Sequence, residues 1–75
     1  MPMLKERTRT SVAKVIEITA ESTQSFEDAI RHAVVKASES VHGMRSAWVA
    51  GQQVEIEDGK VVAYRVDLKV TFVLD

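Results

Sequence analysis

The sequence predicts an α+β fold in which one helix packs on a three-stranded antiparallel sheet, with the elements in the order βαββ. Three observations lead to this prediction. A run of β-branched residues near the N-terminus indicates a strand, and apolar residues at spacings of three and four then indicate a helix. A long alternating segment after an Asp-Gly pair indicates the second strand of a hairpin.

Composition limits the kind of protein that this chain can be. Seventy-five residues form one small domain, whose core alone gives marginal stability. The absence of cysteine excludes disulfides and thiolate zinc sites, and His32 and His42 are too scattered to suggest a metal or catalytic pair. Self-association remains as a means of stabilisation. A net charge of −1 is not typical of a nucleic-acid-binding protein.

The ends of the chain suggest where the domain lies. Residues 1–11 carry Lys5, Arg7 and Arg9 without a helical or strand period, and we expect a flexible N-terminal tail followed by one domain over 12–75. No apolar run approaches the ~20 residues of a membrane span, and the N-terminus lacks the apolar segment of a secretion signal. These features predict a cytoplasmic protein with no membrane partner.

The first half of the domain contains the predicted strand and helix. "VAKVIEI" at 12–18 predicts the strand, and Ser25 with Asp28 forms a capping-box-like start for the helix. The helix is expected to run for about four turns and to end at Gly43. Its apolar stripe consists of Phe26, Ala29, Ile30, Ala33, Val34, Ala37 and Val41, and His32, Lys36 and Glu39 lie on the polar face.

The second half predicts a hairpin of strands 46–57 and 61–74 joined at Asp58-Gly59. The last strand alternates between two faces. One face carries Val62, Tyr64, Val66, Leu68, Val70, Phe72 and Leu74, and the other carries Ala63, Arg65, Asp67, Lys69 and Thr71.

Trp48 is predicted to point away from the helix. In strand 46–57 the core candidates Ala47 and Val49 are out of phase with the core candidates Val54 and Ile56, which requires a β-bulge. Gly51 is the expected position of the bulge, with a positive φ. Ser46, Trp48 and Ala50 then share the side of Arg65, Asp67 and Lys69. The Trp48 ring either fills a subunit interface or also stacks on a flat ligand.

The polar residues of that side allow two interpretations. Arg65, Asp67 and Lys69 alternate in sign, which is typical of cross-strand or intersubunit ion pairs, and Arg65 is alternatively a ligand anchor. No serine has a histidine at a motif-like spacing or a nucleophile-elbow sequence, so an enzyme is not expected.

Several segments, in this order and spacing, resemble the dodecin family. They are "KVIEI" (14–18), "SFEDAI" (25–30), "KASESV" (36–41), "IEDGKVVAY" (56–64) and "LKVTFVLD" (68–75). The resemblance implies a βαββ protomer whose sheet partly wraps the helix, assembled into a hollow homododecamer. It also implies that flavins such as riboflavin or FMN are bound in pairs between aromatic rings and stored, without catalysis.

Two positions depart from the family pattern. The flavin-stacking tryptophan of the family falls at Ser46, and the glutamine that bonds the flavin edge falls at Arg65, which offers only donors. Both changes weaken the flavin interpretation and resemble a calcium-binding branch of dodecins, although no calcium-loop spacing is present. The candidate ligand site therefore comprises Ser46, Trp48, Gln53 and Arg65, with no metal ligand assigned. The alternatives are a structural shell and a calcium-binding variant, and the identity of the ligand is left open.

Overall fold

The computed structural model describes residues 12–74 and contains the predicted βαββ elements. They are strand β1 (Val12–Ser22), helix α1 (Phe26–Ala37), strand β2 (Met44–Glu57) and strand β3 (Lys60–Leu74). The sheet is antiparallel in the order β1-β3-β2, so the strongly alternating β3 is central. The predicted fold class is therefore confirmed. The predicted tail, residues 1–11, lies outside the described residues.

The helix begins where predicted but ends earlier. The Asp28 amide donates to Ser25 Oγ at 2.9 Å, as an N-cap requires. The carboxylate of Asp28 accepts from Ser22 Oγ instead of completing the capping box. The helix ends at Ala37 after three turns, not four, because Ser38 Oγ donates to the Val35 carbonyl and a turn follows.

Gly43 has a different role from the one predicted. It does not end α1, and Val41 lies outside the helix. Its φ of 78° turns the chain into β2, and its carbonyl accepts a hydrogen bond from the Val73 amide at 3.1 Å. The glycine therefore fixes the start of β2 against the end of β3.

The hairpin turn at Asp58-Gly59 is confirmed. Asp58 has φ 51° and Gly59 has φ 77°, the positive values that a type I′ turn needs at both central residues. Glu57 and Lys60 pair directly on either side of it. This turn sets the register from which the rest of the hairpin follows.

The core lies between α1 and one face of β3. Its buried residues are Ala29, Ala33, Val66, Leu68 and Val70, flanked by Ile16, Ile18, Ala20, Phe26, Ile30, Met44 and Val49. Small alanines on the helix permit close approach to the branched side chains of β3. The Phe26 ring meets the Tyr64 ring edge to face, with centroids 5.2 Å apart. Val62 and Leu74 share the apolar face but are exposed.

The pairing of β2 with β3 contains three register shifts, at Met44/Ser46, Val49/Gly51 and Glu55/Ile56. The predicted bulge beside Gly51 is confirmed, and Ala50 is the residue without a partner there. The expected positive φ at Gly51 is wrong, since only Gly43 and Gly59 among the glycines have one. Two of the predicted core residues of β2 are also wrong, since Ala47 is exposed and Ile56, at the third shift, is 62% exposed.

No helix within residues 12–74 has the length and apolar character needed to cross a membrane.

Candidate functional site

The sheet face opposite α1, called the outer face here, carries most of the candidate site. Cross-strand pairing arranges it in four rows running from β1 through β3 to β2. The rows are Glu21–Arg65–Gln53, Thr19–Asp67–Gly51, Glu17–Lys69–Trp48 and Val15–Thr71–Ser46. The helix covers only the other face, so these side chains are open to solvent in the isolated chain.

Trp48 lies on the outer face, as predicted. Its side chain is 66% exposed, and Lys69 on the neighbouring strand is its direct partner. The Lys69 ammonium lies 5.3 Å from the centre of the indole ring, within cation–π distance. One charged group therefore already occupies the surroundings of the ring.

The charged residues of β3 pair with β1 within the same chain. Lys69 Nζ lies 3.8 Å from Glu17 Oε2, and Arg65 Nε lies 3.9 Å from Glu21 Oε1. Asp67 Oδ1 accepts a hydrogen bond from Thr19 Oγ1 at 3.2 Å. This confirms the cross-strand interpretation of the alternating charges. These groups are well exposed, so each ion pair contributes little, about 0–1 kcal/mol.

The four candidate residues form two pairs, not one cluster. Gln53 lies directly opposite Arg65, and Ser46 lies two residues before Trp48 on the same strand. The rows of Arg65 and Lys69 are four residues apart along β3, which corresponds to about 13 Å. The row of Asp67 therefore lies between the row of Arg65 and the row of Trp48.

Lys69 was not among the predicted site residues, although the sequence contained a signal for it. If residues are paired one by one, going back from Glu57 on β2 and forward from Lys60 on β3, Trp48 is placed opposite Lys69. The shift at Glu55/Ile56 leaves Val62 of β3 unpaired and the shift at Val49/Gly51 leaves Ala50 of β2 unpaired, so the two shifts cancel. The simple count is therefore correct at Trp48.

A shallow hollow of about 290 Å³ adjoins this part of the outer face. Its lining residues are Glu17, Ile18, Thr19, Ala50, Asp67, Leu68 and Lys69.

A serine, an aspartate and a histidine meet at the start of α1, but in an order unsuited to catalysis. Ser22 Oγ donates to Asp28 Oδ2 at 2.7 Å, and His32 Nδ1 lies 3.4 Å from the same oxygen. The carboxylate thus lies between hydroxyl and imidazole, whereas an activated serine needs the imidazole beside it. Ser22 Oγ also accepts from the Gln24 amide at 2.8 Å. The group stabilises the helix start.

No three histidine, cysteine, aspartate or glutamate side chains within residues 12–74 come together in a way that could hold a metal ion. Glu17 and Asp67 are on adjacent rows of the outer face, but each already has a partner, in Lys69 and Thr19.

Comparison with known proteins gives a consistent result. The sequence model of the Dodecin family matches residues 12–75. Calcium dodecin of Mycobacterium tuberculosis is 39% identical over 62 residues, covering 83% of this chain and 87% of that protein. Its crystal structure, described as that of a calcium-chelating immunodominant antigen with a novel calcium-binding site, has a TM-score of 0.74 and covers 87% of this chain and 93% of that chain. Dodecin from Streptomyces coelicolor is 31% identical, with a TM-score of 0.81 and the same two coverages.

Proposed function

The chain belongs to the dodecin family, and from this membership we propose that it is a self-associating cytoplasmic protein that binds and sequesters a small planar ligand on its outer face. The proposal includes no catalytic step. The observation that carries it is the indole of Trp48, which is 66% exposed on a sheet face that no helix or strand within residues 12–74 covers.

An exposed indole in so small a domain needs a partner to offset the cost of hydrating it. Tryptophan is enriched in interfaces, and its flat face also suits stacking on another ring. Stacking of a ring on an aromatic side chain contributes about 1–3 kcal/mol by alanine substitution. A planar ligand held between Trp48 side chains of neighbouring subunits would satisfy both roles.

Flavins such as riboflavin or FMN fit this site only weakly. Ser46, where the family resemblance places the stacking tryptophan, has no ring, and Arg65 offers donors without the acceptor of an amide. Alternate side chains on one face of a strand lie ~6–7 Å apart, so Trp48 shifts the stacking position instead of restoring it. We expect flavin affinity to be lower by roughly one to two decades than with a ring at position 46.

Self-association is supported by the large apolar side chains that the isolated chain leaves exposed. They are Val12, Val15, Val34, Val35, Trp48, Ile56, Val61, Val62 and Leu74. They lie on both faces, at the hairpin tip and on the helix, and a core of five buried residues is small by comparison. The family resemblance makes a homododecamer the expected assembly.

Calcium binding is the second candidate function, favoured by the 39% identity to the calcium dodecin of M. tuberculosis. Since the described residues of one chain bring no three acidic or histidine ligands together, a calcium site would combine ligands from more than one subunit. Calorimetric titration of the assembled, EDTA-treated protein with CaCl₂ tests it, with MgCl₂ as the control. Heat of binding with CaCl₂ alone would favour the calcium function.

The principal experiment is a titration of riboflavin with wild type, Trp48→Ala and Ser46→Trp, followed by quenching of flavin fluorescence. We expect weak quenching by wild type that disappears in Trp48→Ala while the oligomer persists. Ser46→Trp should quench more strongly, provided that Trp48 leaves the pocket open. Ile56→Ala is the matched control, because Ile56 is almost as exposed as Trp48 but lies beside the hairpin turn.

Two results would contradict the proposal. Quenching that is unchanged in Trp48→Ala would place any ligand elsewhere. No quenching by wild type, together with dissociation of Trp48→Ala into smaller species, would make Trp48 an interface residue and favour a structural shell.

A further inference from the structure

We propose that Trp48 and Lys69 together select planar ligands with a negative charge attached to the ring, such as aromatic carboxylates. This inference rests on the proposed function, since it assumes that a planar ligand stacks on Trp48. The observation behind it is the position of the Lys69 ammonium, 5.3 Å from the centre of the indole ring.

The ammonium makes the site respond to the charge of a ligand. A neutral ring that stacks on the covered indole face displaces Lys69 and loses the cation–π contact. An anionic ring also displaces the ammonium from the indole but pairs with it in its new position. The same movement is therefore unfavourable for a neutral ligand and compensated for an anionic one.

Lys69 is free to make this movement because its other contact is weak. Glu17 lies 3.8 Å from the ammonium, and the side chains of Lys69 and Glu17 are 41% and 75% exposed. Exposed pairs of this kind are screened by solvent and contribute little. Glu17 is on β1, on the far side of β3 from Trp48, so it competes for Lys69 without approaching the ring.

The other carboxylate of this region, that of Asp67, lies in the row next to Trp48 and Lys69 and already has a hydrogen-bond partner. Asp67 Oδ1 accepts a hydrogen bond from Thr19, and Asp67 Oδ2 lies above Gly51 on the adjacent row. The hydroxyl-bearing residues Ser46 and Thr71 form the row on the other side of Trp48 and Lys69. The row of Trp48 therefore contains two charged residues, Glu17 and Lys69, and only Lys69 is positive.

The distance also specifies where the charge of the ligand must be. Stacked aromatic rings have centroids about 4.5–7 Å apart, similar to the distance of Lys69 from the indole centre. A carboxylate bonded directly to the ring therefore remains within reach of the ammonium. A charge at the end of a long flexible chain gains nothing specific from Lys69.

The test compares 2-naphthoate with 2-naphthamide, which have the same ring and nearly the same size but differ in charge. Isothermal titration calorimetry of the assembled wild type should give a preference for 2-naphthoate of about fivefold. Lys69→Met should abolish the preference. Lys60→Met, which removes the same charge near the hairpin turn, should retain it. Glu17→Gln, which frees Lys69 from its competitor, should tighten 2-naphthoate binding about twofold and should not tighten 2-naphthamide binding.

The outcomes separate this inference from the proposed function. Equal affinities for the two naphthalenes in wild type, or a preference that survives Lys69→Met, would overturn the charge selectivity. If Trp48→Ala also loses the binding of both naphthalenes, the planar-ligand function stands. If wild type quenches riboflavin but binds neither naphthalene, the charge selectivity is overturned and the planar-ligand function stands. If wild type neither binds the naphthalenes nor quenches riboflavin, the inference and the proposed function are both overturned. Glu17→Gln retains Lys69, so it tests the inference even if Lys69→Met fails to assemble.

Discussion

The carboxylate of Asp67 lies directly above the backbone of Gly51. A Cβ added at position 51 would lie 3.2 Å from Asp67 Oδ2, closer than ordinary van der Waals contact. The other oxygen of the same carboxylate accepts the Thr19 hydroxyl. Gly51 therefore leaves room for a side chain of the neighbouring strand, and its backbone does not require a positive φ.

This relationship predicts a small effect for Gly51→Ala. Replacing the glycine reduces the freedom of the unfolded chain, and the close contact with a movable carboxylate offsets that gain, so stability should change by less than about 0.5 kcal/mol. In an Asp67→Ala background the contact is absent, and Gly51→Ala should stabilise by about 0.4–1 kcal/mol. Chemical denaturation of the four proteins at one subunit concentration checks this. A large loss in both backgrounds would show that the backbone itself requires glycine.

Gly43 and Gly59 provide a matched pair for backbone strain. Both have φ near 78°, but a Cβ at Gly43 would lie 3.3 Å from the Val73 carbonyl oxygen, whereas one at Gly59 meets nothing within 4 Å. Each alanine variant should lose about 1–2 kcal/mol from the left-handed backbone, and Gly43→Ala should lose more. Thermal unfolding checks the order. Equal losses would mean that the Val73 backbone moves aside without cost.

Ser22 should be the most sensitive serine at the start of α1. Its hydroxyl is buried, donates to Asp28 and accepts from the Gln24 amide. Ser22→Ala leaves these groups without their partner and should destabilise by about 1–3 kcal/mol. Ser38→Ala is the control, because the Ser38 hydroxyl is exposed and its loss should cost less than about 0.5 kcal/mol. Denaturation curves that shift equally for both variants would contradict this assignment.

The exposed apolar side chains predict that the folded chain is not monomeric. Trp48 and Ile56 are each more than 60% exposed in the isolated chain, and the core is too small to be expected to stabilise a monomer. Light scattering at micromolar concentration should report a mass close to that of a homododecamer. A stable, well-folded monomer would contradict the assembly.

Local sequence signals predicted the elements of the fold reliably where one signal had no competitor. The Asp58-Gly59 pair specifies a turn that few other residues form, and the alternation of β3 specifies a strand with one buried face. The helix end was less predictable. The apolar spacing continues to Val41, but the Ser38 hydroxyl competes for a backbone carbonyl and the helix ends at Ala37.

For the candidate site, the sequence alone indicated that Trp48 shares a face with Lys69 and Arg65, because alternation together with the inferred bulge at Gly51 assigns the faces. Counting from the Asp58-Gly59 turn gives the Trp48–Lys69 pair, but only the tertiary structure showed that the register shifts leave this count intact. Pairing across β2 and β3 depends on where each bulge falls, and Ala50 and Val62 leave no pattern in the sequence that locates both. The three-dimensional register therefore separates Arg65 and Gln53 from Trp48, and it places the Lys69 ammonium over the indole ring.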